Sequence, residues 1–254
     1  MCLIGIGWHA HPRYALVVAA NRDEFRARPT RAARFWPEHA DILAGRDGLL
    51  GGTWLGLTRR GRFAAVTNFR EATPAHAGRS RGGLVVDCLL NGAPLHGKDE
   101  YAGYNLLWAD LIEHTMFFDS NRMGYERIAL EPGVFGMSNG AFDKVWPKTA
   151  SIQGRLGALL GEDDITPDAL CVALFGALLE RHAFPDEDLP DSGVGLPRER
   201  MLSPVFIDSP EYGTRSSTVV IVDVKGEVYF EERSFDAPGN IVREQFNYLA
   251  RSGA

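Results

Sequence analysis

The chain has 254 residues, enough for one large domain or two small ones with a substantial buried core. Hydrophobic residues make up 45% and charged residues 24%, with 28 Gly and 14 Pro, which excludes disordered, collagenous and coiled-coil chains. Lys and Arg number 27 against 33 Asp and Glu, a net charge of −6 that argues against nucleic acid as a partner.

The cysteines, Cys2, Cys88 and Cys171, contain no CxxC pair. A disulfide scaffold and a structural zinc site are therefore unsupported, and a reducing, cytoplasmic setting fits. The longest apolar runs fall short of the ~18 to 20 residues of a membrane span. Met1 to Trp8 lacks the basic region of a secretory signal, and its apolar residues fit a buried strand, so the chain is expected to begin inside the fold.

A polar turn, His9-Ala10-His11-Pro12-Arg13, leads to a second apolar strand from Tyr14 to Ala20, which Asn21-Arg22-Asp23-Glu24 is expected to end. Arg26 to Trp36 has neither helical nor strand periodicity and reads as an irregular excursion able to line a cleft. Ile42 to Ala44, Thr53 to Thr58 and Arg62 to Asn68 read as strands. Ser80 is placed to cap a helix over Gly82 to Leu90, ended by Asn91-Gly92. Tyr104 to Asp110 and Thr115 to Asp119 read as a hairpin, followed by two short extended pieces between Gly124 and Met137 and a weak helix over Lys148 to Leu160. Thr166-Pro167-Asp168 starts a helix expected to reach His182. Pro185 to Pro197 reads as a solvated loop, and Ser216 to Val224 with Glu227 to Ser234 as a terminal hairpin. This order predicts an α+β fold of mostly antiparallel sheets with helices outside them.

Cys2 is the first candidate for chemistry. Loss of Met1 would leave a thiol of ordinary pKa about 8.5 and an α-amine of about 7.7 to 8.0 on one residue, so the amine can take the thiol proton. The plainer alternative is a small buried hydrophobe that starts a strand. An antiparallel hairpin would bring Asn21-Arg22-Asp23-Glu24 beside Cys2, where a guanidinium favours thiolate and a carboxylate holds the amine. The same four residues also suit a salt-bridged strand end.

His9 and His11 read as solvated turn residues, although the chemistry permits that pair a metal contact, and the pair or Cys2 an axial haem contact. No metal site is predicted. The glycines from Gly45 to Gly52 lie between strands and fit turns and close backbone approach rather than a phosphate cradle. Arg26, Arg28, Arg31 and Arg34 with Arg59, Arg60 and Arg62 form either a basic patch suited to an anionic ligand or scattered solubilising charge.

Met-Cys, two strands and Asn-Arg-Asp-Glu together resemble the NRDE, or transport-and-Golgi-organisation, family over most of the chain. Further stretches carry the likeness: Gly51-Gly52-Thr53-Trp54-Leu55-Gly56, Thr67-Asn68-Phe69-Arg70, Ser80-Arg81-Gly82, Gly103-Tyr104-Asn105-Leu106, Ser138-Asn139-Gly140, Trp146-Pro147-Lys148 and Tyr212-Gly213-Thr214-Arg215-Ser216-Ser217-Thr218. That family is similar to the N-terminal-nucleophile hydrolases, which implies a four-layer αββα sandwich and one domain over residues 1–254. A more distant likeness to cholylglycine hydrolases and penicillin V acylases implies catalytic roles for Cys2, Asp23, Asn68, Asn139 and Arg215, with Asn21, Arg22, Glu24 and Arg70 expected to bind substrate. Two departures stand out. Ala20, not Arg, lies three residues before Asp23, and no Pro follows Asn139.

Two functions follow from the resemblance. One is a cysteine hydrolase that needs no cofactor and cleaves an amide or thioester of a small or lipid-like substrate. The other is a non-catalytic carrier of haem or acyl-CoA that uses the same cleft.

Overall fold

Cys2–His11 (β1) and Tyr14–Phe25 (β2) pair as an antiparallel hairpin because both are apolar, β-branched runs around a Pro-containing turn. In this computed structural model, which describes residues 2–72, 78–122, 124, 127–142, 144–237 and 240–251, that hairpin lies within a six-stranded sheet. The predicted loss of Met1 lies outside the described residues.

The following elements are β3 (Thr30–Trp36), β4 (His39–Asp47), β5 (Leu55–Thr58), β6 (Arg62–Asn68), α1 (Arg81–Asn91), β7 (Tyr104–Asp110), β8 (Thr115–Ser120), β9 (Ile128–Ala129) and β10 (Gly133–Met137). Then come α2 (Pro147–Leu160), α3 (Pro167–Leu178), α4 (Leu196–Leu202), β11 (Tyr212–Asp223), β12 (Glu227–Ala237) and β13 (Asn240–Leu249). The first sheet runs β10-β1-β2-β11-β12-β13 and the second, of seven strands, runs β3-β4-β5-β6-β7-β8-β9. Every pairing of these strands is antiparallel.

Strand alternation divides the core into layers. Ile4, Ile6, Leu16 and Val18 meet Leu55, Phe63 and Leu107 between the sheets. Leu3, Val17 and Ala19 turn the other way, onto Ile152 and Leu156 of α2 and Leu174 of α3. On the second sheet, Ala64, Val66 and Leu106 pack under Leu84, Val85 and Cys88 of α1. Helix, sheet, sheet and helix are thus stacked as an α+β sandwich. Gly7 lets β1 approach α2 closely, since a Cβ there would stand 2.3 Å from Leu160.

Several local expectations hold. Ser80 caps α1 by accepting the N–H of Gly82, and Gly92 ends it at φ +81°. Thr166 caps α3 by accepting the N–H of Ala169, although the helix ends at Leu178 rather than His182.

Others are corrected. The tetrad does not end β2 but lies within it, because β11 pairs alongside as far as Phe25. The supposed excursion over Arg26 to Trp36 contains β3, whose register shifts near Arg31/Arg34 and Phe35/Trp36 break the period of two that would have revealed it. Pro185 to Pro197 is not all loop: it carries a 3-10 turn at Asp186–Asp188 and enters α4. His11 is buried inside β1, its Nδ1 accepting the N–H of Arg13 at 3.0 Å, and is no solvated turn residue.

Candidate active site

The β1/β2 register sets Cys2 directly across from Arg22. The period of two then sends Arg22 and Glu24 toward the second sheet with Cys2, and Asn21 and Asp23 toward the helices. A cleft of about 210 Å³ opens at this end, and its lining includes Cys2, Arg22, Asp23, Glu24, Asn68 and Arg81. Its rim depends on two glycines. A Cβ on Gly52 would stand 2.6 Å from the backbone of Gly82, so the loop before β5 and the first turn of α1 touch through bare backbone. That contact sets Asp47, Thr53 and Trp54 of one segment beside Ser80 and Arg81 of the other.

Cys2 is 8% exposed. Burial pushes its thiol above the ordinary value, and Asp23 adds to this while Arg22 opposes it. The Arg22 guanidinium lies 4.3 Å from the centre of the Trp54 ring, donates to Thr30 Oγ1 at 2.9 Å, and stands 3.9 Å from Glu24 and 4.0 Å from Asp47. Behind it, Glu232 of β12 is buried between the sheets, accepting the N–H of Ala33 at 2.7 Å and the hydroxyl of Thr218 at 3.3 Å. Burial pushes its carboxyl up to about 7.

On the opposite face of β2, Asp23 accepts a hydrogen bond from Thr214 Oγ1 at 2.8 Å. Burial raises its pKa, and Lys148 is the largest influence lowering it. Lys148, on the first turn of α2, donates to the Leu202 carbonyl at 3.0 Å and is itself brought down to about 8 by burial, against the favourable charge of Asp23. Arg70 pairs with Glu199 of α4, both buried, and its guanidinium lies 4.5 Å from the Trp146 ring centre. These four charged groups form a buried, formally neutral cluster beneath the cleft.

The predicted site residues therefore separate. Cys2, Arg22, Asp23, Glu24 and Asn68 line the cleft. Asn139 is fully buried and donates its side-chain amide to the Asn68 carbonyl at 2.8 Å, while its own carbonyl accepts the N–H of Arg70 at 2.7 Å. Arg215 occupies a bulge opposite Arg22 and donates to the carbonyls of Phe25, Arg26 and Arg28 at 2.9 to 3.0 Å, clamping the segment that follows β2. Asn21 donates to the carbonyls of Leu178 and Val205, tying α3 and the segment after α4 to the sheet. Arg70 lies in the buried cluster and not in the cleft.

Sequence reasoning missed Lys148 as a partner of Asp23, Glu199 as the partner of Arg70, and Asp47 and Arg81 as lining groups. Lys148 and Arg81 stood in stretches carrying the family likeness, which was the available signal. Of the suspected basic patch, Arg26 pairs with Asp208 at 2.7 Å, Arg28 with Asp47 at 2.6 Å and Arg60 with Asp41 at 3.0 Å. Among the described residues no cluster of three or more His, Cys, Asp or Glu side chains could hold a metal, and no helix is long and apolar enough to cross a membrane.

The stacked sheets are those of the N-terminal-nucleophile hydrolase fold. An N-acylethanolamine-hydrolysing acid amidase orthologue from Caenorhabditis elegans superposes with a TM-score of 0.50 at 11% identity, over 87% of this chain and 92% of that one. The model of the Transport and Golgi organisation 2 (TANGO2) family matches residues 1–237, and the chain belongs to that family. Transport and Golgi organization protein 2 homologues from Bos taurus and Homo sapiens are 35% and 36% identical, each aligned over 92% of this chain and 93% of its own length.

Proposed function

We propose that the protein is an N-terminal-cysteine hydrolase that cleaves an amide or thioester of a small or lipid-like substrate through an acyl-enzyme. The observation that carries this reading is Cys2 on the cleft lining, with Arg22 directly across from it and Asp23 on the adjoining position of β2. Removal of Met1 frees the α-amine, which takes the thiol proton as the sulfur attacks the carbonyl carbon. The raised pKa of the buried thiol suits this order of events, since the proton then leaves only when the amine receives it. Asp23 holds the resulting ammonium, and Arg22 favours the thiolate. The Asn68 side chain donates to the oxyanion, an interaction worth about 2.7 to 4 kcal/mol in other enzymes. Asn139 and Arg215 act as positioning residues, through the Asn68 carbonyl and the segment after β2. The ammonium returns its proton to the departing amine or thiol, and water hydrolyses the thioester on Cys2 to release the acid and restore the thiol.

Intact-mass measurement of the purified protein, followed by labelling with a thiol-directed electrophile, tests the hydrolase reading. The expected result is a mature chain that begins at Cys2, with Cys2 labelled more than about tenfold faster than the buried Cys88 and Cys171. Retained Met1, or turnover that survives Cys2→Ala, overturns it.

A further inference from the structure

Arginines outnumber carboxylates on the lining of the cleft. Arg22, Arg28, Arg79 and Arg81 line it against three carboxylates, of which Asp23 answers to Lys148 in the buried cluster, leaving Glu24 and Asp47. Arg22 and Arg28 share both of those carboxylates, at 2.6 to 4.0 Å. Arg79 is taken by Glu100 outside the lining. Arg81 has no carboxylate within 4.0 Å among the described residues, and its guanidinium donates only to the Gly103 carbonyl, at 3.0 Å. A guanidinium carries five N–H donors, so most of its fork has no protein acceptor there.

We propose that Arg81 is the specificity-determining residue of the Cys2 cleft and binds an oxyanion group, carboxylate or phosphate, carried by the substrate near its scissile carbonyl. The inference rests on Cys2 being the reacting group. Arg81 is half-buried, and burial draws its pKa below the usual guanidinium value. The Glu24 and Glu71 carboxylates favour its charge, while Arg28 opposes it. A partly desolvated cation on the same cleft as the nucleophile, with no counter-ion within 4.0 Å among the described residues, is complementary to an anionic ligand. The backbone contact of Gly52 with Gly82 fixes the first turn of α1, so the guanidinium needs no large rearrangement to meet its ligand. The first turn of α1 contains no acidic residue to compete for it.

Iodoacetate and iodoacetamide test this without a known substrate, because they alkylate the same sulfur and differ in charge. The ratio of their rates at Cys2 is expected to fall about tenfold in Arg81→Gln, while the iodoacetamide rate changes less than about twofold. Arg60→Gln, in the β5/β6 turn at the other end of β6, leaves the ratio unchanged. Inorganic phosphate and acetate as competitors separate the two ligand chemistries: protection by one of them, lost in Arg81→Gln, identifies the group. An unchanged ratio in folded Arg81→Gln overturns the proposal. If that variant fails to fold, Arg81→Lys carries the test, since an ammonium cannot make the two-point contact: a drop of about threefold is expected, and none overturns it. Should Cys2 react with neither reagent, the hydrolase reading falls by itself. The anion site is then judged by whether phosphate or acetate raises the melting temperature of the wild type but not of Arg81→Gln, and no rise in the wild type overturns it.

Discussion

The two faces of the Asn21-Arg22-Asp23-Glu24 strand have different physical fates. Asn21 and Asp23 are almost completely buried, and each is bonded to another element: Asn21 to the carbonyls of Leu178 and Val205, Asp23 to Thr214. Arg22 and Glu24 face the cleft, at 5% and 21% side-chain exposure, and their contacts are stacking on Trp54, ion pairs of 3.7 to 4.0 Å and hydrogen bonds to nearby Thr30 and Phe25. One short motif thus divides into a half that holds the molecule together and a half that sets the charge around a thiol. The division is forced by the period of two in a strand.

Mutations read this division by size of effect. Lys148→Met removes the cation that most favours the Asp23 carboxylate and is expected to cost about 3 to 5 kcal/mol in urea unfolding, because it leaves a buried charge uncompensated. The double variant with Asp23→Asn should cost less than the sum of the singles, and strict additivity would break the pairing. Asn21→Ala leaves two buried carbonyls without their side-chain donor and should cost about 2 to 3 kcal/mol by the same measurement.

Glu232→Gln should act in the opposite direction. Its carboxyl has a folded pKa of about 7, above the ordinary 4.5. The wild type therefore carries stability from this group that is fully present below pH 4.5 and is lost as pH rises through 7. The amide cannot ionise, so the variant should be more stable than the wild type at pH 8 by roughly 1 to 3 kcal/mol and nearly equal at pH 4.5. A flat difference in melting temperature across that range would refute it.

On the cleft face, Glu24→Gln should change stability by less than about 0.5 kcal/mol while altering the pH profile of Cys2 alkylation. If it costs as much as Asn21→Ala, the contrast between the faces is wrong.

Local chemistry was legible where a residue type has one dominant use. Ser80 and Thr166 as N-caps and Gly92 as a C-cap all followed from spacing. β3 was hidden because its register shifts mask the alternation. β13 was hidden because its exposed and half-buried residues offer no apolar run. The limits of β2 depended on β11, which lies almost 190 residues further along the chain and pairs with it to Phe25. No window of sequence contains that partner.

The sequence by itself determined which thiol stands beside the polar tetrad, since only Cys2 begins a strand and meets those residues across a hairpin, a matter of local register. Tertiary structure alone decided how each charge is used. Whether an arginine becomes a clamp like Arg215, a buried ion like Arg70 or a cleft cation like Arg81 depends on the carboxylates and carbonyls that distant segments bring within a few ångströms. Coulombic and hydrogen-bond energies fall steeply with separation and with hydration, so such roles arise only once the sheets and helices have closed around the groups.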